Sequence, residues 1–206
     1  MKKNPSRLCD WVFLIVCMVV LPSCSPKAVP MVVNSEGPYA VGNRGPAGGW
    51  IIHDKGHDSD GWRYLEAAAQ DQTPLSWRHK GLVRWGCSGQ PVPGARYAGL
   101  GWGGVNTQAI VDACSEPDIA ARLCTEYRGG DRDDWYLPAL DELNIIYIHL
   151  FQQGIGGLGL GEYWSSTETT RGYVWSHNFS NGKQLYSGKN PKYRVRCVRA
   201  FSGNKE

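Results

Sequence analysis

Residues 115–127 read SEPDIAARLCTEY, a pattern typical of a helix with a defined start. Ser115 and Asp118 have the spacing of a capping box, and Pro117 lies near the first turn, where a missing amide donor costs little. The apolar residues that follow share one helical face: Ile119, Ala120, Leu123, Cys124 and Tyr127. A pair of glycines at 129–130 then ends the helix.

Two more helices are predicted next to this one. Asn106 can cap a short helix that runs through Cys114. The other follows Pro138, where apolar residues form one stripe as far as Phe151 and Gly154 lies just beyond. The helices are therefore grouped in the middle of the chain.

Strand patterns lie on both sides of the helical region. They cover 49–53 and 62–67 before it, and 163–164, 173–179, 183–187 and 193–199 after it. Asn181-Gly182 is a strong hairpin signal. Strands, then helices, then strands indicate an α+β fold with an antiparallel sheet whose first and last strands meet.

The first residues have the order of a secretion signal. Basic residues precede an apolar run over 11–21, which is short of the ~20 residues that a membrane span needs. The string LPSC at 21–24 resembles the lipobox of bacterial lipoproteins, although Pro22 departs from the usual pattern. We therefore predict a signal peptide over 1–23 and lipidation of Cys24. Ordinary secretory cleavage near Ser23 is the alternative.

The residues after the predicted cleavage site suggest how the chain is organised. Ser25 follows the cysteine, which by the same resemblance implies a lipid anchor in the outer membrane or at the cell surface. Residues 24–45 are rich in Pro, Gly and small polar residues, so we expect a flexible tether. Residues 46–203 have the length of one domain with a proper core.

Loss of residues 1–23 would lower the basic count from 22 to 19 and the acidic count from 19 to 18, leaving a net charge of +1. Such a near-neutral surface has no broad positive electrostatic potential that would attract DNA or RNA. We expect no nucleic-acid partner.

The mature chain keeps four cysteines besides Cys24: Cys87, Cys114, Cys124 and Cys197. In an oxidising compartment an even set indicates two disulfides, with three connectivities open. We expect Cys124 with Cys197 and Cys87 with Cys114. Zinc binding is the alternative, but the sequence has no CxxC pair to favour it.

Several strings occur together in one order: DSDGWRYLEAA (58–68), NTQAI (106–110), AARLC (120–124), DWYLP (134–138), DEL (141–143), YWSSTE (163–168) and YRVRCVRA (193–200). They resemble the bacterial major paralogous domain family, which is similar to the C-terminal domain of collagen-like adhesins. The resemblance covers about 46–201. It implies a fold like that of C-type lectins and formylglycine-generating enzymes, with a twisted antiparallel sheet, two or three helices and long loops.

Members of that family occur on surface and secreted proteins, and the collagen-like adhesins attach to polysaccharides. The resemblance therefore implies a lipid-anchored surface or periplasmic adhesion module that recognises a glycan or a protein. A structural subunit of a surface or fimbrial assembly is the alternative. An enzyme with Cys197 or Cys124 as nucleophile is less favoured, and without a G-x-S-x-G or HExxH motif we predict no catalytic residues.

Exposed aromatic side chains are the best candidates for ligand contact, because an indole offers a flat face to a sugar ring. Trp102 lies in a loop between glycines. Alternation puts Tyr173, Trp175 and His177 on the same side of a strand, with Phe179, and that side is either a ligand surface or the core. The core is expected to hold Trp62, Trp135 and Trp164.

Two acidic loops are candidate cation sites. One holds His53, Asp54, His57, Asp58 and Asp60, and the other holds Asp131, Asp133 and Asp134. Neither supplies a complete EF-hand series, so no metal or cofactor is predicted. A further cluster, Arg194, Arg196 and Arg199, suggests either an anion site or, more favoured, a structural network with Glu168, Asp141 or Glu142.

Overall fold

The computed structural model describes residues 37–74, 81–169 and 172–203. It shows short helices, two small antiparallel sheets and long loops, which confirms the predicted α+β class. The predicted signal peptide, Cys24 and the first part of the tether lie outside the described residues. In the described ranges, no helix is long and apolar enough to span a bilayer.

Six strands form the two sheets. They are β1 (Trp50–Ser59), β2 (Trp62–Ala67), β3 (Glu162–Glu168), β4 (Val174–Asn178), β5 (Lys183–Ser187) and β6 (Val198–Phe201). The first sheet has the order β1-β2-β6 and the second the order β3-β4-β5. The expectation that the first and last strands meet is wrong, because β2 lies between them and pairs with both.

Two tight connections explain the strand pairs. Asp60 and Gly61 join β1 to β2 with φ of 52° and 82°, and an Asp-Gly pair tolerates this left-handed backbone better than most residues. Asn178 of β4 pairs with Lys183 of β5 across the predicted Asn181-Gly182 turn. Both hairpins therefore form where turn-forming residues interrupt the strand pattern.

The α-helices are α1 (Gly103–Ala113), α2 (Ala120–Thr125) and α3 (Leu140–Ile146), and a π-helical turn (Tyr147–Phe151) continues α3. Short 3-10 helices cover Pro93–Ala95 and Gly129–Asp131. Helix α2 is shorter than predicted, because Asp118 has a left-handed backbone with φ of 55°. Asn106 does not cap α1. It lies inside the helix and is fully buried.

The segment before β6 connects the two sheets. Arg194 forms a bridge with Tyr163 of β3, and Val195 forms one with Gln72 after β2. The predicted strand over 193–199 is therefore broken, and only its end belongs to a regular strand. The disulfide between Cys124 and Cys197, with Cα atoms 5.4 Å apart, fastens this segment to α2.

The second disulfide joins Cys87 to Cys114 at the end of α1, with Cα atoms 5.2 Å apart. The two pairs are the ones expected from the sequence. Cys87 precedes a long loop that has little regular structure, whereas Cys114 directly follows a helix. The bond therefore fixes one end of that loop to the core.

The arginines near the C-terminus form a structural network, but not with the predicted carboxylates. Arg196 pairs with Asp71 at 2.8 Å, and Arg199 pairs with Asp134 at 2.8 Å and with buried Glu66 at 3.4 Å. The expected partners Glu168, Asp141 and Glu142 are not used in these pairs. The true partners come from distant loops, so local spacing does not identify them.

The first described residues pack against the domain instead of extending from it. Tyr39 lies edge-on to Tyr64 with ring centroids 5.3 Å apart, and Gly42 donates a backbone hydrogen bond to Ile51. The packed region thus begins before the predicted tether boundary at residue 45.

At the other end, the Gly203 amide donates to Asp58 at 2.8 Å. A Cβ on Gly203 would lie 3.1 Å from Arg63 Cδ, and a Cβ on Gly37 would lie 2.5 Å from Arg63 Nη2. Gly37 and Gly203 therefore lie beside the same arginine.

Candidate functional site

Two exposed rings stack on each other at the surface. Tyr97 and Trp102 have centroids 4.4 Å apart and planes inclined by 21°. Their exposed fractions are 47% and 45%. Because Tyr97 supports one side of the indole, Trp102 is held as a rigid aromatic surface rather than a freely rotating side chain.

Trp102 lines a cleft of about 430 Å³. We call it the Trp102 cleft; its lining residues are His53, Lys55, Asp60, Trp62, Leu100, Gly101, Trp102 and Val105. Strands β1 and β2 and their turn supply one wall. The loop before α1 and the first turn of α1 supply the other. The site is therefore assembled from segments about 40 residues apart in the sequence.

The polar groups of the cleft lie on the β1–β2 wall. Lys55 Nζ lies 3.8 Å above the Trp62 ring and 3.7 Å from the Asp60 carboxylate, whose side chain is 88% exposed. Burial lowers the pKa of His53 below its ordinary value, and the nearby His149 lowers the pKa further. His53 is therefore neutral at pH 7, and the one ammonium in the lining is matched by a carboxylate.

Partly buried hydrogen bonds fix the aromatic pair from behind. Asn106 Oδ1 accepts from the Tyr97 amide at 3.1 Å, and Asn106 Nδ2 donates to the Tyr97 carbonyl at 2.6 Å. The Gly101 amide donates to the Glu142 carboxylate at 2.8 Å. Asn106 thus holds the backbone of Tyr97, and Glu142 holds the residue before Trp102.

This arrangement suits a sugar ring. Pyranoses have apolar faces that stack on an indole and hydroxyls that need polar partners at their edge. Trp102 offers the flat surface, and Asp60, Lys55 and His53 offer acceptors and donors across the cleft. The site therefore combines aromatic stacking with a small number of polar contacts.

The other predicted contact residues divide into two groups. Tyr173 is 46% exposed, and partly buried Trp175 lies 5.3 Å from the Tyr186 ring, which is 62% exposed. His177 is different, because it is fully buried against Tyr147 with ring centroids 4.6 Å apart. The prediction that His177 contacts a ligand is wrong, because the π-helical turn after α3 covers that side of β4.

Three carboxylates of the two acidic loops stabilise the fold. Asp54 accepts from Arg63 at 2.7 Å, Asp58 accepts from Gly203, and Asp134 pairs with Arg199. Within the ranges that the structure describes, no group of three or more metal-ligating side chains comes together. Cys124 and Cys197 are bonded to each other, so neither is a free thiol in this structure.

Sequence patterns identified Trp102 but missed Tyr97 and assigned Trp62 to the core. Trp135 and Trp164 are buried as expected, whereas Trp62 is only partly buried and lines the cleft. Its position directly after the Asp60-Gly61 turn is the signal that could have shown this, because residues at a hairpin end have fewer neighbours than those in mid-strand.

In a comparison with protein families, residues 67–199 match the Lcl C-terminal domain. The matched range includes Tyr97, Trp102 and Glu142, whereas the β1 side of the cleft precedes it. No curated protein matches the chain.

Proposed function

Because the chain belongs to the Lcl C-terminal domain family, we propose that it is an extracytoplasmic adhesion module that binds carbohydrate in the Trp102 cleft. The family strings quoted above, with their resemblance to the C-terminal domain of collagen-like adhesins, support recognition as the role. The architecture supplies a rigid scaffold under long surface loops, where binding residues usually occur.

The stacked pair of Tyr97 and Trp102 is the observation that carries this proposal. A tryptophan with 45% of its surface in water loses hydrophobic stabilisation that a buried ring would have. Here the exposed ring is also held in place by a second aromatic ring and by partly buried hydrogen bonds to its loop. Such a fixed ring reduces the entropy lost on binding.

The charges in the cleft favour a neutral sugar over a sulfated one. The ammonium of Lys55 already has the Asp60 carboxylate 3.7 Å away, and it donates to the Ser59 carbonyl at 2.6 Å. Burial lowers the pKa of His53, so the imidazole adds no charge at pH 7. An anionic group would therefore find no unmatched cation among the lining residues.

We place the module at the outer membrane or cell surface, anchored through lipid on Cys24. The order of residues 1–24 supports export and lipidation. The two disulfides support an oxidising compartment, because such bonds are rare in a reducing cytosol. Metabolic labelling with a fatty-acid analogue, compared between wild type and Cys24→Ala, tests the anchor.

Binding of the full chain to an array of neutral, uronic-acid and sulfated oligosaccharides tests the function. We expect binding to neutral sugars and a loss of affinity of about tenfold in Trp102→Ala, the value of one stacking contact. Leu160→Ala is the control, because Leu160 is 68% exposed and does not line the cleft. Absence of glycan binding by the folded chain, or equal effects of the two changes, would contradict the proposal.

A structural subunit of a surface assembly is the second candidate, favoured by the exposed β5 edge of the second sheet. Strand β5 is an edge strand, and its exposed Leu185 and Tyr186 adjoin exposed Tyr173. An unpaired strand edge with apolar side chains can add a strand from another chain. Crosslinking on whole cells would favour this role if Tyr186→Lys abolished the product and no glycan bound.

A further inference from the structure

Three glutamates of the described residues are buried: Glu66, Glu142 and Glu168. Each accepts backbone amides from a loop. Glu66 accepts from Gly49 at 2.7 Å, and Glu168 accepts from Val92 at 2.8 Å. Glu142 accepts from Gly101 at 2.8 Å. A buried carboxylate that receives amide hydrogens holds a loop in one conformation.

Glu142 differs from the other two in its partners. Glu66 has Arg199 at 3.4 Å, and Glu168 has Lys189 at 2.6 Å. The hydrogen bonds to Glu142 come from uncharged groups, namely the amides of Gly101, Gly103 and Ala139 and the Tyr136 hydroxyl. A charge buried without a cation is costly, so this carboxylate depends on its hydrogen bonds.

The geometry of Glu142 connects α3 with the loop of the binding site. Its Oε2 accepts from the Ala139 amide at 2.7 Å, which fastens the carboxylate to the start of its own helix. Its Oε1 accepts from the Gly101 amide, one residue before Trp102. The rigid end of α3 is therefore the support on which the loop rests.

We propose that Glu142 is a positioning residue for the Trp102 cleft: its carboxylate fixes the Gly101 backbone and so sets the orientation of the Trp102 ring. This inference rests on the proposed carbohydrate function, since a loop without a ligand needs no such orientation. Glu142 itself is fully buried and does not line the cleft. Its effect on ligand is exerted through the loop.

Amide hydrogen exchange in the free full chain tests the positioning without any ligand. We expect Glu142→Ala to lower the protection of the Gly101 amide about tenfold more than that of Leu65 in β2, because the hydrogen-bond acceptor of that amide is lost locally. Glu142→Gln keeps one acceptor oxygen for the Gly101 and Ala139 amides, which Glu142 receives on two oxygens, so it should restore only part of the protection. Asp141→Asn, at the exposed neighbouring position, is the matched control and should change neither amide.

Equal loss of protection at Gly101 and Leu65 in Glu142→Ala would overturn the proposal, because it would show a general structural role. If Glu142→Ala does not fold, Glu142→Asp serves instead. It keeps the charge, but its side chain is too short to reach both amides, so the same local loss is expected and retained Gly101 protection would overturn the proposal.

Binding to the neutral oligosaccharides of the array then separates the two hypotheses. Glu142→Ala should weaken binding as much as Trp102→Ala, and Glu142→Gln, which keeps one acceptor oxygen, should weaken it less. Local loosening at Gly101 without any glycan binding would contradict the proposed function but not the role of Glu142 in the loop. Unchanged affinity in a loosened variant would overturn the positioning role.

Discussion

Gly101 lies so close to Trp62 that a Cβ on the glycine would stand 2.8 Å from the indole nitrogen. The Gly101 backbone is also left-handed, with φ of 82°. Both conditions exclude a side chain, the first by overlap with an aromatic ring and the second by backbone strain. The contact brings the two walls of the Trp102 cleft together.

Replacement of this glycine should damage both the fold and the site. We expect Gly101→Ala to lower the free energy of unfolding by about 1–2 kcal/mol, the cost of a left-handed residue, and to weaken binding of neutral oligosaccharide. Gly104→Ala is the control, because its Cβ would meet Tyr136 at an ordinary 3.5 Å within α1. Chemical denaturation and binding isotherms measure both effects, and similar losses in the two variants would count against this account.

Ionic strength should have little effect on glycan binding. The cleft has no unmatched cation among its lining residues, so screening of charges removes little attraction. We expect the dissociation constant for a neutral oligosaccharide to change less than about twofold between 0.05 and 0.5 M NaCl. A steep weakening in salt, measured by calorimetry, would indicate anionic ligands instead.

Both disulfides should contribute substantially to stability. Chain-entropy arguments give about 4 kcal/mol for the disulfide between Cys124 and Cys197, which are 73 residues apart in the sequence. They give about 3.5 kcal/mol for Cys87 and Cys114, which are 27 residues apart. Denaturation of the two double Cys→Ala variants tests this ranking, and no loss in either would contradict it.

Loss of the buried cation beside Glu168 should destabilise the fold strongly. Lys189 is 4% exposed and lies 2.6 Å from the carboxylate. Lys189→Met removes the closest cation from buried Glu168 and leaves the partly exposed Arg96 at 3.8 Å, so we expect a loss of about 3 kcal/mol in the free energy of unfolding. Lys183→Met, on exposed β5, is the control and should change stability by less than about 0.5 kcal/mol.

The protein should lose stability from Glu142 as the pH rises towards neutrality. Burial raises the pKa of Glu142 from 4.5 to about 7, so the folded chain holds this proton more tightly than the unfolded chain does. The stabilisation is fully present below pH 4.5 and is lost by about pH 7, a change of about 3 kcal/mol.

Glu142→Gln removes the titration of Glu142, so the difference in stability between wild type and this variant reports on that group alone. Burial lowers the pKa of His177, which makes wild type less stable as the pH falls below 6.5 and so acts in the opposite direction. We therefore compare unfolding free energies of wild type and Glu142→Gln at pH 4.5 and 8. The unfolding free energy of Glu142→Gln relative to that of wild type should increase from pH 4.5 to 8. If this difference is the same at both pH values, the Glu142 carboxyl has an ordinary pKa.

Local patterns predict the parts of this fold that depend on near neighbours. The Asp60-Gly61 and Asn181-Gly182 turns, the helical stripe after Pro138 and the class of fold all follow from short-range sequence. Helix α2 is shorter than its apolar spacing suggests, because Asp118 adopts a left-handed backbone that no periodicity records. The capping pattern at 115–118 marks a turn before the helix rather than its first turn.

The site depends on long-range contacts, and there the sequence says less. Trp102 could be predicted from its glycine-flanked loop, but its stack with Tyr97 requires the buried Asn106 to hold Tyr97. Strand alternation groups His177 with Trp175, yet only His177 is covered by the turn after α3. Arg196 finds its carboxylate 125 residues away, beyond any local pattern.

The closeness of Gly37 and Gly203 beside Arg63 bears on how evolution or a protein engineer could reuse this domain. Because the chain enters and leaves the packed domain beside the same arginine, the domain could be inserted into a surface loop of a host protein with little separation of the two loop ends. The same proximity would let a short peptide link Gly203 back to Gly37, so new ends could be cut elsewhere while the cleft stays intact.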